Sequence, residues 1–180
     1  MIYVFLANGF EEVEALAPVD FLRRAGASVM TVGVGGVQIE GAQHITVTAD
    51  SDGTGLDFSD VEMVVLPGGM PGAAYLDRSP MVKDCLMKAA EKGALIGAIC
   101  AAPSVLGHKG LLEGRRAVCY PGFEEALHGA ILSEKSVEQD GNIITAKGPG
   151  AAIEFALTLV AAWSGDAAAQ AMRESIQCPK

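Results

Sequence analysis

Runs dominated by apolar residues recur along the chain with helix-sized intervals between them: Ile2 to Ala7, Ser28 to Val34, Met63 to Leu66, Ala94 to Ile99 and Ala117 to Cys119. Short, nearly continuous apolar runs suit strands buried on both faces. Their alternation with helical stretches predicts an α/β fold with a mostly parallel sheet covered on both sides. The stretch from about Glu11 to Ala25 reads as a helix, with acidic residues in its first turn, Arg23-Arg24 in its last and Gly26 as a stop. Pro18 inside it cannot donate to the carbonyl of Glu14, so an irregular backbone is expected there. A second helix is expected over Pro80 to Lys92, capped by Ser79 and ended by Gly93, with Met81, Val82, Cys85, Leu86 and Ala89 as its buried stripe. A third follows Gly148-Pro149-Gly150 and carries Ile153, Phe155, Ala156, Leu159, Val160 and Trp163 up to Gly165. Between Val137 and Ile143-Ile144-Thr145, Asp140-Gly141 is the signal of a tight hairpin, and Gln38 to Thr48 is a second antiparallel candidate. No repeat or linker interrupts the pattern, which predicts a single domain over residues 1–180.

Composition supports this picture and narrows the function. Half of the 180 residues are apolar and 22 are glycine, enough to build a sizeable core with tight turns. The net charge of −9, from 13 basic and 22 acidic residues, argues against a nucleic-acid partner. No apolar stretch approaches the ~20 residues of a membrane span, and the opening run is too short for a secretion signal, so a cytoplasmic protein is expected. The four cysteines lie far apart without a C-x-x-C pair, which predicts free thiols and neither metal nor cofactor.

The chemistry gathers where strands are expected to end. In Leu95-Ile96-Gly97-Ala98-Ile99-Cys100-Ala101-Ala102-Pro103 a buried strand stops at a cysteine and a helix starts almost at once, the layout of a nucleophile elbow. Amides at a helix N-terminus would stabilise a Cys100 thiolate and lower its pKa; the alternative is one more small buried apolar residue. A second strand runs into Pro67-Gly68-Gly69, whose backbone N–H groups could join that of Ala101 in an oxyanion hole, or simply turn the chain. After the first strand come Glu11, Glu12 and Glu14. The first two suit a solvated turn; Glu14, set beside Val13 and Ala17, could be buried, protonated and able to donate to a thiolate, or be a plain helix-face charge. Tyr120-Pro121-Gly122 completes the set as a candidate pocket wall, all four elements being expected at the carboxyl ends of parallel strands. His44, His108 and His128 sit at none of these ends and read as surface residues.

With these residues in hand, the chain resembles the ThiJ/PfpI (DJ-one) superfamily, in its Parkinsonism-associated deglycase branch. The resemblance is carried by Gly9-Phe10-Glu11-Glu12-Val13-Glu14 with Pro18-Val19-Asp20, by Val64 to Gly69, by Ala98 to Pro103, and by Lys147-Gly148-Pro149-Gly150 with Glu154-Phe155-Ala156. It implies a flavodoxin-like sandwich, usually homodimeric, with the reactive cysteine at Cys100 and its protonated partner at Glu14. It also implies a glyoxalase or deglycase that acts on small 2-oxoaldehydes without cofactor, or else an oxidation sensor or redox-regulated chaperone. Tyr120 stands where that branch often has histidine, and Ala101 where the protease-like branch has one, so neither histidine's role carries over and peptidase activity is not expected. The amidotransferase triad is missing too. Cys119 is a candidate resolving thiol if strand alternation turns it toward Cys100.

Overall fold

The computed structural model describes residues 1–178. In chain order its elements are β1 (Ile2–Ala7), α1 (Glu12–Arg24), β2 (Val29–Val34), β3 (Gln38–Glu40), β4 (Thr46–Thr48), β5 (Met63–Leu66), α2 (Gly72–Arg78), α3 (Pro80–Lys92), β6 (Leu95–Ile99), α4 (Pro103–His108), β7 (Arg116–Ala117), β8 (Ile131–Leu132), β9 (Val137–Asp140), β10 (Ile143–Ala146), α5 (Ala152–Ser164) and α6 (Asp166–Ser175). Six strands form one sheet in the order β2-β1-β5-β6-β10-β9, parallel throughout except for the β10–β9 edge pair. This is an α/β flavodoxin-like sandwich.

Strand alternation divides the core in two. In β1, Ile2, Val4 and Leu6 join a core with Phe21 and Leu22 of α1 and Phe155 and Leu159 of α5. Tyr3, Phe5 and Ala7 point the other way, into a core with Leu76 of α2, Val82, Cys85 and Leu86 of α3, and Val105 of α4. All six residues of β1 are buried, as a strand covered on both faces requires. The anticipated capping of α3 is present: the Ser79 hydroxyl accepts from the N–H of Val82, Pro80 opens the helix, and Gly93 closes it at φ +67°.

Several expectations are corrected. The run Ala117 to Cys119 does not enter the sheet: only Arg116 and Ala117 are extended, in a separate two-stranded pair with β8. The place beside β6 is taken by β10, the second arm of the anticipated hairpin, all four of whose residues are buried. A hairpin arm can therefore double as an inner parallel strand, which the short Ala117 run cannot outcompete. The Gln38 to Thr48 hairpin is present as β3–β4. α1 continues through Pro18 without a break, so the only irregularity proline imposes is the missing bond to the Glu14 carbonyl. Ile153, placed on the buried stripe of the last long helix, is 41% exposed. α2 and α6 were not anticipated. Among the described residues, no helix is long and apolar enough to cross a membrane.

Candidate active site

The carboxyl ends of β1, β5 and β6 meet at one point. α1 brings Glu14 there fully buried, at 0% exposure. Its Oε2 accepts the N–H of Gly68 at 2.9 Å, while Oε1 has no hydrogen-bond partner. The Gly68 carbonyl in turn accepts from the N–H of Glu11 at 3.1 Å, which stitches the loop after β5 to the start of α1. Position 68 must be glycine for space: a Cβ there would stand 2.5 Å from the Cβ of Cys100 and 2.7 Å from Glu14 Oε2. The acid and the cysteine are neighbours because that methyl is absent.

Cys100 follows β6 at φ +65°, a left-handed conformation that a residue with a side chain adopts at a cost. Hydrogen bonds on both sides hold it there: its N–H donates to the Ala146 carbonyl of β10 at 2.9 Å, and its carbonyl accepts the N–H of Tyr120 at 2.8 Å. The strand-to-helix elbow read from the sequence is present, and the turn projects the sulfur out of the sheet edge. The backbone amides of Gly69 and Ala101 lie near enough to that sulfur to favour its thiolate. Of the two glycines considered as partners for Ala101, Gly69 is the one whose amide acts on the sulfur. The N–H of Gly68 donates to Glu14 Oε2 instead.

The two side chains perturb each other. Burial pushes the Glu14 carboxyl up to about 7, against the neighbouring Cys100 thiol and the Gly68 N–H, which favour its charge. The Cys100 thiol is pushed up to about 12, first by burial and next by the negative Glu14, while the Gly69 and Ala101 amides pull the other way. This corrects the lowered pKa anticipated from a helix N-terminus: α4 is six residues long and starts only at Pro103, so two amides, and no long helix, face the sulfur. A carboxyl and a thiol this close in a dry site hold one negative charge between them, not two. With Glu14 protonated, the largest electrostatic obstacle to the thiolate disappears and the same group can donate to it.

Tyr120 reaches the site by a route the sequence reading missed. It follows no strand of the main sheet; its backbone bond to the Cys100 carbonyl brings it in. A Cβ built on Gly148 would lie 3.0 Å from Tyr120 Cδ2 and 4.0 Å from Cys100 Sγ, so this glycine also closes on the site. Tyr120, Pro121, Ser136, Lys147, Gly148 and Pro149 line a cavity of about 270 Å³ beside it. The only advance signal for Gly148 was its place in a family motif. His44, His108 and His128 are exposed, as anticipated. His44 pairs with Glu40 and His108 with Asp77. Cys119 is buried in the core on the α3 side of the sheet, whereas Cys100 packs against the α1 side, so the two thiols belong to different cores.

This architecture and this constellation define an α/β protein built around one thiol on a strained elbow with a buried acid beside it. The chain belongs to the DJ-1/PfpI family, whose model matches residues 1–162. Protein dj-1beta of Drosophila melanogaster is 37% identical over 165 residues, covering 90% of this chain and 88% of its own. The glutathione-independent glyoxalase DJR-1.2 of Caenorhabditis elegans is 32% identical over 157 residues, covering 86% and 83%. The oxidized form of Toxoplasma gondii DJ-1 superposes with a TM-score of 0.89 at 35% identity, covering 98% of this chain and 97% of that one.

Proposed function

We propose that the protein is a cofactor-independent glyoxalase that also acts on the adducts of its substrates, with Cys100 as nucleophile. The thiolate adds to the aldehyde carbon of a small 2-oxoaldehyde such as methylglyoxal or glyoxal, and the new alkoxide is received by the amides of Gly69 and Ala101. Glu14 first gives its proton to that alkoxide; as a carboxylate it then takes the proton from the former aldehyde carbon and returns it to the neighbouring carbon, while the hydroxyl proton of the first carbon passes to the oxygen of the second. One carbon is thereby oxidised and the other reduced with no outside redox partner, leaving a thioester of a 2-hydroxy acid. Water cleaves the thioester, releasing the acid and restoring the thiol. Attack on the same carbon in an amine or thiol adduct, with the amine or thiol as leaving group, reads as deglycation. Tyr120 and Pro121 wall the substrate's side of the sulfur.

The observation that carries this reading is a fully buried carboxyl set against Cys100 across Gly68, one oxygen bound to the Gly68 N–H and the other without a partner, where burial raises its pKa to about 7. Such a carboxyl is suited to accept and return a proton near neutral pH. The glyoxalase relative supports the same assignment. The test is conversion of methylglyoxal to lactate without glutathione by the wild type, Cys100→Ser and Glu14→Gln. Equal rates in all three would remove the enzyme. The same reading takes the working unit to be a cytoplasmic homodimer, and sedimentation of the purified protein checks the assembly.

A second reading rests on the same geometry. Two amides and a protonated acid around one sulfur would also hold the two oxygens of a sulfinate, formed as the thiolate reduces two molecules of peroxide to water. The protein would then be an oxidation sensor or a redox-regulated chaperone. Selective gain of two oxygens at Cys100 under peroxide, with negligible turnover of methylglyoxal, decides for the sensor.

A further inference from the structure

We infer that Tyr120 makes this site selective for 2-oxoaldehydes that carry an aryl group, the aromatic ring of the substrate stacking in the cavity that Tyr120 lines beside the nucleophile. The inference rests on the glyoxalase reading and names the substrate class for it.

Three features support it. The tyrosine is tethered to the nucleophile: its N–H is bonded at 2.8 Å to the carbonyl of Cys100, so its main chain is held beside the residue that carries the sulfur. Its ring also approaches Gly148 so closely that even a methyl there would be tight, at 3.0 and 3.5 Å from two ring carbons. That contact sets the Cδ2–Cε2 side of the ring against the Gly148 backbone, while Tyr120 stays 47% exposed and lines the cavity. Pro121 and Pro149 add two rigid apolar surfaces to the same space.

The dimensions and polarity favour an aryl group over a methyl. At about 270 Å³ the cavity is far larger than the methyl of methylglyoxal needs, and besides the Tyr120 hydroxyl the polar side chains lining it are those of Ser136 and Lys147. The Lys147 ammonium donates to the Glu134 carbonyl at 2.8 Å. A flat, apolar, hydrogen-bond-poor space beside a half-exposed phenol suits an offset-stacked or edge-to-face ring.

The test compares phenylglyoxal with methylglyoxal in the wild type, Tyr120→Phe, Tyr120→Leu and Tyr120→Ala. The ratio of kcat/KM for the two aldehydes should favour phenylglyoxal, persist in Tyr120→Phe, and fall by about three- to tenfold in Tyr120→Leu and Tyr120→Ala, the range of an aromatic pair. Because leucine keeps the bulk and loses the ring face, it separates stacking from mere filling. A second readout does not depend on turnover: binding of mandelate and lactate to the Cys100→Ser protein by calorimetry. Mandelate should bind more tightly, and the difference should shrink in Cys100→Ser/Tyr120→Leu. Wild-type ratios unmoved by all three substitutions, or equal binding of the two acids, would overturn the inference. If neither aldehyde is consumed, the glyoxalase reading falls, and the mandelate measurement still decides whether the cavity takes an aryl ring.

Discussion

Cys85 and Cys100 are both pushed up to about 12, first by burial and next by a carboxylate, Asp84 for the one and Glu14 for the other, yet only Cys100 has backbone amides that pull the other way. Cys85 faces the α3-side core at 0% exposure, and burial, its leading cause, would remain if Asp84 were protonated. Nothing in the chemistry of the site can relieve it. Cys100 is only partly buried, and its second cause is a carboxylate, which a single proton removes. Two amides then remain, and both favour the thiolate. The pair teaches that a thiol's reactivity depends on whether the obstacle to ionisation is permanent or removable, and that the position of its pKa alone does not reveal which.

The contrast breaks first at the sulfurs themselves. Cys100→Ser should cut methylglyoxal turnover by about a thousandfold or more, since the whole covalent path is lost, whereas Cys85→Ser should leave the rate per folded molecule unchanged. Comparable losses in both variants would mean that the elbow is not the reactive centre.

The removable obstacle is tested by Glu14→Gln. Without the carboxylate the Cys100 thiol should ionise more easily, by about one pKa unit or more in thiolate absorbance, yet turnover should fall by about a hundredfold because the proton carrier is gone. A variant with both an easier thiolate and full activity would leave Glu14 no part in proton transfer.

Glu14 should also leave a mark on stability. Its folded pKa of about 7 lies above the 4.5 of the free group, so the folded state binds the extra proton between these values. The stabilisation is therefore complete below pH 4.5 and lost as pH rises through about 7, by on the order of 3 kcal/mol from this group. Urea midpoints of the wild type should decline across that window relative to Glu14→Gln, which has no proton to lose. Parallel profiles would place the carboxyl in water.

The smallest effect belongs to the permanent obstacle. Cys85→Ser buries a hydroxyl in an apolar core and should cost about 1–3 kcal/mol in the urea midpoint, with Cys85→Ala costing less. An unchanged midpoint would mean that the α3-side core tolerates polar groups.

Much of this was readable before any coordinates. The run Leu95 to Ile99 ending at a cysteine, with Pro103 just beyond, announces an elbow, while Glu14 beside Val13 and Ala17 reads either as a buried acid or as a plain helix-face charge until the elbow cysteine is set next to it. What escaped was decided by backbone or by competition. Gly68 and Gly69 are identical to a reader of side chains, and only the fold sends one N–H to the acid and sets the other near the sulfur. Ala117 to Cys119 looks as strand-like as Ile143 to Ala146, but only the latter has a hairpin partner to carry it into the sheet. α6 buries only Met172, so its pattern has too little apolar signal to declare a helix.

The left-handed turn at residue 100 sets fold and chemistry at odds in a single residue. Glycine would sit there with less strain, so Cys100→Gly should melt no earlier than the wild type and could melt later. A search for variants ranked by thermal tolerance would keep that inactive protein, and at this position robustness is the wrong guide to usefulness.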